Sequence, residues 1–201
     1  MAGLPLPRGR DAPGPWSPTP PAPGLASMNP DPTEEAFRDL MAAFASGVTV
    51  VTSRAGEQDG GMTVSAFFSV TLDPPRVVVS LASAADTTPL VERSGLFAVN
   101  LLREEQRDLS VRFADRVPPP QKFEGLPLDR GVGGVPLLKD TLGALECRTE
   151  ARIPAGDHAL FLGRVIGVRP GRPGRPLIYW DRDYRELQAA VRASPRREGG
   201  P

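Results

Sequence analysis

Apolar residues first recur at helical spacing. Phe37, Leu40, Met41 and Phe44 fall at i, i+3, i+4 and i+7 and predict one helix with one apolar face. Asp31-Pro32-Thr33-Glu34 supplies a start signal, with an acid at the cap, Pro in the first turn and Glu three positions on, and Gly47 supplies a stop. The period then shortens. Val48-Thr49-Val50-Val51-Thr52 is a β-branched run that predicts a buried strand, and Gly56 to Gly61 reads as a hairpin loop. From Gly60 to Pro75 the chain alternates: Thr63, Ser65, Ser69 and Thr71 on one side, Met62, Val64, Val70 and Leu72 on the other, with a break in phase at Ala66-Phe67-Phe68. Arg76 to Leu81 is almost continuously apolar and predicts a central strand. A loop from Ala82 to Thr88, a short helix Pro89 to Arg93, a strand Leu96 to Leu102 and a helix Glu104 to Phe113 follow, the last ended by Pro118-Pro119-Pro120. Two long strands, Leu142 to Ile153 and Ala159 to Val168, flank Pro154-Ala155-Gly156-Asp157-His158. A Pro/Gly turn, Arg169 to Pro176, leads to a strand Pro176 to Trp180, and Arg182 to Leu187 reads as the start of a terminal helix. Strands dominate, so the pattern predicts a mainly β (α+β) barrel with peripheral helices rather than an alternating βαβ sheet.

Composition bounds the domain. The chain has 201 residues with 24 basic and 24 acidic side chains, enough for one medium domain at 31–190. Residues 1–30, crowded with Pro, Gly and Ala, and the tail 191–201 are expected to be disordered, and Met28 is a second possible start. Balanced charge argues against nucleic acid as a partner, and no apolar run approaches the roughly 20 residues of a membrane helix. The one cysteine, Cys147, leaves no internal disulfide and fits a reducing cytoplasm, as a small buried apolar residue.

The chemistry narrows by exclusion. One histidine and one cysteine cannot assemble a zinc site of the usual nitrogen and sulfur ligands, so no metal is expected. G-x-S-x-G, G-x-x-x-x-G-K-[ST] and G-x-G-x-x-G after a strand are all absent, which argues against a classical nicotinamide-binding Rossmann domain. In extended backbone the adjacent Asp157 and His158 point to opposite faces and are expected not to hydrogen-bond each other. The row of hydroxyls at 63–71 suits the edge of a planar heterocycle or a phosphate, and equally suits hydroxyls that face water.

A resemblance separates these readings. Thr63-Val64-Ser65-Ala66-Phe67-Phe68-Ser69-Val70-Thr71-Leu72-Asp73-Pro74-Pro75 resembles the signature of the flavin reductase family, T-x-S-[SA]-[FL]-x-S-[VL]-S-x-[DE]-P-P. The likeness continues through Phe97-Ala98-Val99-Asn100, Lys122-Phe123, Leu145-Glu146-Cys147 and Ala155-Gly156-Asp157-His158 into Phe161-Leu162-Gly163-Arg164, in the family's order, over roughly Phe37 to Leu187. It implies an FMN-binding split β-barrel, a homodimer with flavin near the subunit seam, and hydride transfer from NADH or NADPH to FMN or FAD for a partner flavin-dependent monooxygenase. It also implies flavin contacts from Thr63 to Phe67, from Ser69, Val70 and Ser80, and from a phosphate segment at Thr87 and Thr88. In that segment Ala85 stands where the family has Ser, and Asp86 adds a charge that repels phosphate. Lys122, Phe123 and Tyr184 are further candidates near the flavin, and His158 near the nicotinamide or the flavin edge. Hydride transfer between two cofactors needs positioning more than an acid/base pair, which accords with the absence of one. Rival readings are a non-catalytic flavin-binding barrel and another oxidoreductase of this architecture, such as a pyridoxamine-phosphate-oxidase-like enzyme.

Overall fold

The computed structural model describes residues 31–188. The extension 1–30, with Met28, and the tail 191–201 lie outside the described residues. The chain divides into two units, Met1–Arg38 and Asp39–Pro201. In the first, Thr33 rather than Asp31 caps the helix: its Oγ1 accepts the Ala36 N–H at 3.2 Å, and Arg38 reaches back one turn to Glu34 at 2.5 Å. That helix, α1, runs Glu34–Ala42, and it ends before Gly47, which belongs to the short strand β1, Ser46–Gly47. Its expected core face is on the surface: Phe37, Leu40, Met41 and Phe44 are all exposed.

The second unit continues with β2 Thr49–Ala55, β3 Gln58–Val64, β4 Phe67–Leu72, β5 Pro75–Ala82, α2 Thr88–Ser94 and β6 Leu96–Leu101. A 3-10 turn, Glu104–Gln106, opens α3 Arg107–Ala114, and the prolines at 119 and 120 start rather than prevent a short helix, α4 Pro119–Phe123. Then come β7 Leu128–Arg130, β8 Pro136–Leu138, β9 Gly143–Ala155, β10 His158–Pro170, β11 Ile178–Trp180 and β12 Asp183–Arg185. Seven strands form one sheet in the order β3-β2-β6-β9-β10-β5-β4, with every pair antiparallel and β3 and β4 at its edges.

The β-branched run at 48–52 forms β2 because both faces of that strand are covered. Val51 enters a cluster with Val79, Leu81, Phe97 and Phe161, while Val50 joins Leu102, Phe113, Phe123 and Leu177 on the other side. Cys147 lies in the first cluster, where burial, followed by the nearby Glu146, pushes its thiol up to about 12. Asn100, fully buried, binds three elements together: its amide donates to the Val50 carbonyl at 3.0 Å and to Thr52 Oγ1 at 3.1 Å, and its Oδ1 accepts the Leu138 N–H at 2.9 Å.

Two expected elements are corrected. The segment from Arg182 to Leu187 does not start a helix. Asp181 and Arg182 both take positive φ, 52° and 59°, and turn the chain back so that β12 pairs with β11 as a hairpin. Nor do Gly60 and Gly61 belong to a loop; they lie within β3 because two helices press on it from different sides. A Cβ at Gly60 would run into Leu90 Cδ1 of α2, and one at Gly61 would stand 2.6 Å from Phe113 Cε1 of α3.

Candidate functional site

The approach of α2, α3 and α4 to β3 leaves a cavity of about 490 Å³ whose wall includes Gly61, Thr63, Ala82, Thr87, Phe113 and Lys122. Thr63 directs its hydroxyl into the protein, donating to the Ser110 carbonyl at 2.6 Å. Ser110 Oγ in turn shares a 2.8 Å hydrogen bond with Tyr184 OH, so α3 is held between β3 and β12. Thr88 donates its hydroxyl to the Ala82 carbonyl at 2.7 Å, closing the loop that leads into α2. Its neighbour Thr87 is 2% exposed, lines the cavity, and has no side-chain hydrogen bond among the described residues.

Lys122 is buried, and its Nζ donates to the Phe113 carbonyl at 3.1 Å and, more weakly, to that of Gly61 at 3.5 Å. Burial holds its pKa below the ordinary lysine value, while Asp86 and Asp115 act in the opposite direction. Phe123 packs edge-to-face on Phe113 at 5.1 Å in the second core cluster and is not itself part of the cavity wall.

A second cavity, of about 340 Å³, takes Ser65 and Phe67 together with Phe44, Thr49 and Leu102. The stretch 63–67 is therefore divided between two hollows, Thr63 at one and Ser65 and Phe67 at the other. Val64 is in the core, with its carbonyl accepting the Thr49 hydroxyl at 2.7 Å. Ala66 is exposed, and its carbonyl accepts the Ser80 N–H at 3.0 Å. The uniform alternation expected from 62 to 72 does not hold. The strand stops at Val64 and a new one starts at Phe67, whose pairing with β5 shifts between Ser69 and Thr71. Val70 and Leu72, expected on the side opposite the hydroxyls, are 47% and 87% exposed, and Ser69 is exposed beside them.

Tyr184 lines neither cavity. Its ring meets Tyr179 at 5.5 Å, lies under Arg107 at 5.2 Å, and packs on the second core cluster. His158 opens β10 directly opposite Ala82, a residue of the first cavity's wall. Here the adjacency argument is corrected, because Asp157 and His158 do bond, Oδ1 to Nδ1 at 2.8 Å. Asp157 sits in the β9–β10 turn after Gly156, whose φ is +62°, so the extended geometry that separates neighbouring side chains does not apply. An ionised carboxylate only accepts, so Nδ1–H is the donor and Nε2 is left for other contacts, and this bond holds the Asp157 carboxyl below its ordinary pKa.

Asp115 and Arg116, which follow α3, also line the first cavity and are not among the residues expected from the sequence. Their only local signal is a charged pair just beyond an amphipathic helix. Among the described residues no helix is long and apolar enough to cross a membrane.

Comparison with known proteins accords with this architecture. The chain is 44% identical over 154 residues to the reductase component of 4-hydroxyphenylacetate 3-monooxygenase from Thermus thermophilus, covering 77% of this chain and 97% of that one. It is 42% identical over 161 residues to the NADH-dependent FMN reductase AsuE2 of Streptomyces nodosus subsp. asukaensis, covering 79% and 87%. Among solved structures, the NADH:FAD oxidoreductase SgcE6 of Streptomyces globisporus, in complex with NAD and FAD fragments, superposes with a TM-score of 0.73 at 28% identity, covering 78% of this chain and 94% of that one. The model of the flavin reductase like domain matches residues 41–188, and the chain belongs to that family.

Proposed function

We propose that the protein is an NAD(P)H-dependent flavin reductase that transfers hydride from reduced nicotinamide to FMN or FAD and supplies reduced flavin to a partner monooxygenase. The observation that carries this reading is the placement of the family's signature: one short stretch, 63–67, passes from β3 to β4 and gives Thr63 to one cavity and Ser65 and Phe67 to another. Similarity to proteins named as an NADH-dependent FMN reductase and as a monooxygenase reductase component supports NADH, FMN and a monooxygenase partner.

The flavin supplies the hydride-accepting chemistry when bound, and the chain supplies position. Backbone groups from Thr63 to Val70 and the hydroxyls of Ser65, Ser69 and Ser80 would hold the ring, with Thr87, Thr88 and Lys122 at the side-chain end. Thr88 and Lys122 act by shaping the wall, since their polar groups are bound to carbonyls. Phe123 and Tyr184 contribute from behind it, as supports of α3 and α4. His158, its Nδ1 fixed by Asp157, would present Nε2 to the nicotinamide carboxamide. A cytoplasmic homodimer completes the reading, and β4 supports it: Phe68, Val70 and Leu72 are exposed on an unpaired sheet edge, the kind of surface that a second subunit covers.

The test is NADH and NADPH oxidation by the purified full chain, with and without FMN, FAD or riboflavin. Oxidation that depends on added flavin is the expected result. His158→Ala should slow it about tenfold, the worth of one hydrogen bond made at the reacting pair. Nucleotide oxidation that ignores flavin, or none at all, overturns the proposal.

A further inference from the structure

Residues that pair across a sheet share one of its faces. On β5 and β10 one face is core, with Val77, Val79, Ala159 and Phe161 buried, while the residues between them stay partly exposed. The middle of that second face is apolar. Leu160 stands between Ser80 and Ile153, and Leu162 between Val78 and Ala151, with Phe68 next in line on β4.

The two ends of the face differ in sign. At one, Arg164 pairs with Arg76 on one side and with Arg148 on the other, so three guanidinium groups stand abreast on adjacent strands, which costs a sheet stability. Glu150 reaches Arg76 at 2.5 Å, but Arg148 and Arg164 are exposed and have no ion-pair partner among the described residues. Even with Glu150 and the exposed Asp73 of the neighbouring turn, this end is cationic. At the other end the β9–β10 turn holds Asp157, whose side chain is 94% exposed, next to His158. The six residues from His158 to Arg164 span about 20 Å of strand, too far for the opposite charges to meet within one chain.

A face that is apolar in the middle and opposite in sign at its ends complements itself when turned end for end. We propose that two copies of the chain pack these faces together about a two-fold axis crossing β10 near Phe161, so that Arg164 of each copy meets Asp157 of the other. The proposal rests on the homodimer reading and assigns its interface, which takes in Phe68 from the β4 edge. It also sets a cation of one copy beside His158 of the other.

Sedimentation velocity of the full-length chain tests the pairing by charge reversal. R164E opposes two carboxylates and D157K opposes two cations, so each variant alone should dimerise at least about tenfold more weakly than wild type. Mixed in equal amounts, the two variants restore opposite charges at both contacts, and the mixture should dimerise within about threefold of wild type. A chain damaged by its substitution would not be rescued by mixing. Single variants as tight as wild type, or a mixture no tighter than its components, overturn this interface and leave the homodimer. A wild-type chain that sediments as a monomer removes the homodimer and this interface with it, while flavin-dependent NADH oxidation by the same sample reports separately on the reductase reading.

Discussion

Thr63 and Ser69 belong to the same signature, yet their surroundings have little in common. Thr63 lies on β3, pressed by α2 and α3, with its hydroxyl tied to Ser110 and through that residue to Tyr184. Ser69 lies on β4, an edge strand whose Phe68, Val70 and Leu72 are exposed. The first half of the signature thus builds the wall of a cavity, and the second half presents a surface. A sequence motif can serve two physical purposes within a dozen residues, and substitutions should separate them by what they damage.

The largest effect is expected at Gly61. Gly61→Ala places a methyl against the Phe113 ring, 2.6 Å from Cε1, with Phe123 at 3.1 Å behind it, and should cost about 1–3 kcal/mol of stability in urea unfolding. Gly60→Ala should cost less, because its contact is the terminal methyl of Leu90, which can turn away. Ser69→Ala, on the exposed half, should stay within about 0.5 kcal/mol. Equal losses at Gly61 and Ser69 would erase the distinction between the two strands.

Next comes Phe68→Asp, which tests the surface. Sedimentation velocity should show self-association weakened by about 30-fold or more, with the urea midpoint of the monomer unchanged. A wild-type chain that sediments as a monomer would remove the dimer and leave the exposed β4 residues without that explanation. A more modest effect is expected for Tyr184→Phe, which deletes the hydroxyl bonded to Ser110 and should lower stability by about 1 kcal/mol. No loss would mean that β12 does not support the cavity wall.

How much of this was legible depends on whether the cause is local. Val48 to Thr52 and Arg76 to Leu81 could be read as strands because covering both faces demands continuous apolar sequence, and such sequence has few other uses. The apolar face of α1 was equally plain, but periodicity says only that a face is apolar, not that this unit covers it. Gly60 and Gly61 looked like a turn because glycine has the same signature whether it bends the chain or admits a neighbouring helix, and the neighbours here come from Leu90 and Phe113. Asp181-Arg182 lacks the Gly or Asn that usually marks a positive-φ turn, and Asp serves a helix start as readily as a turn, so its hairpin could not be told from a helix start. For the candidate site, the stretch 63–67 was visible as a motif. The commitment of Lys122 to two carbonyls and the arrival of Asp115 and Arg116 depend on how α3 and α4 pack, which spacing does not encode.

The placement of Cys147 has a consequence for durability. Reduced flavin that meets dioxygen yields peroxide, and peroxide attacks thiolates rather than thiols. The chain's one sulfhydryl is shut in with Phe97 and Phe161, and burial raises its pKa to about 12, so it offers the oxidant neither access nor a nucleophile. A protein that generates its own oxidising by-product would keep its single cysteine out of that chemistry.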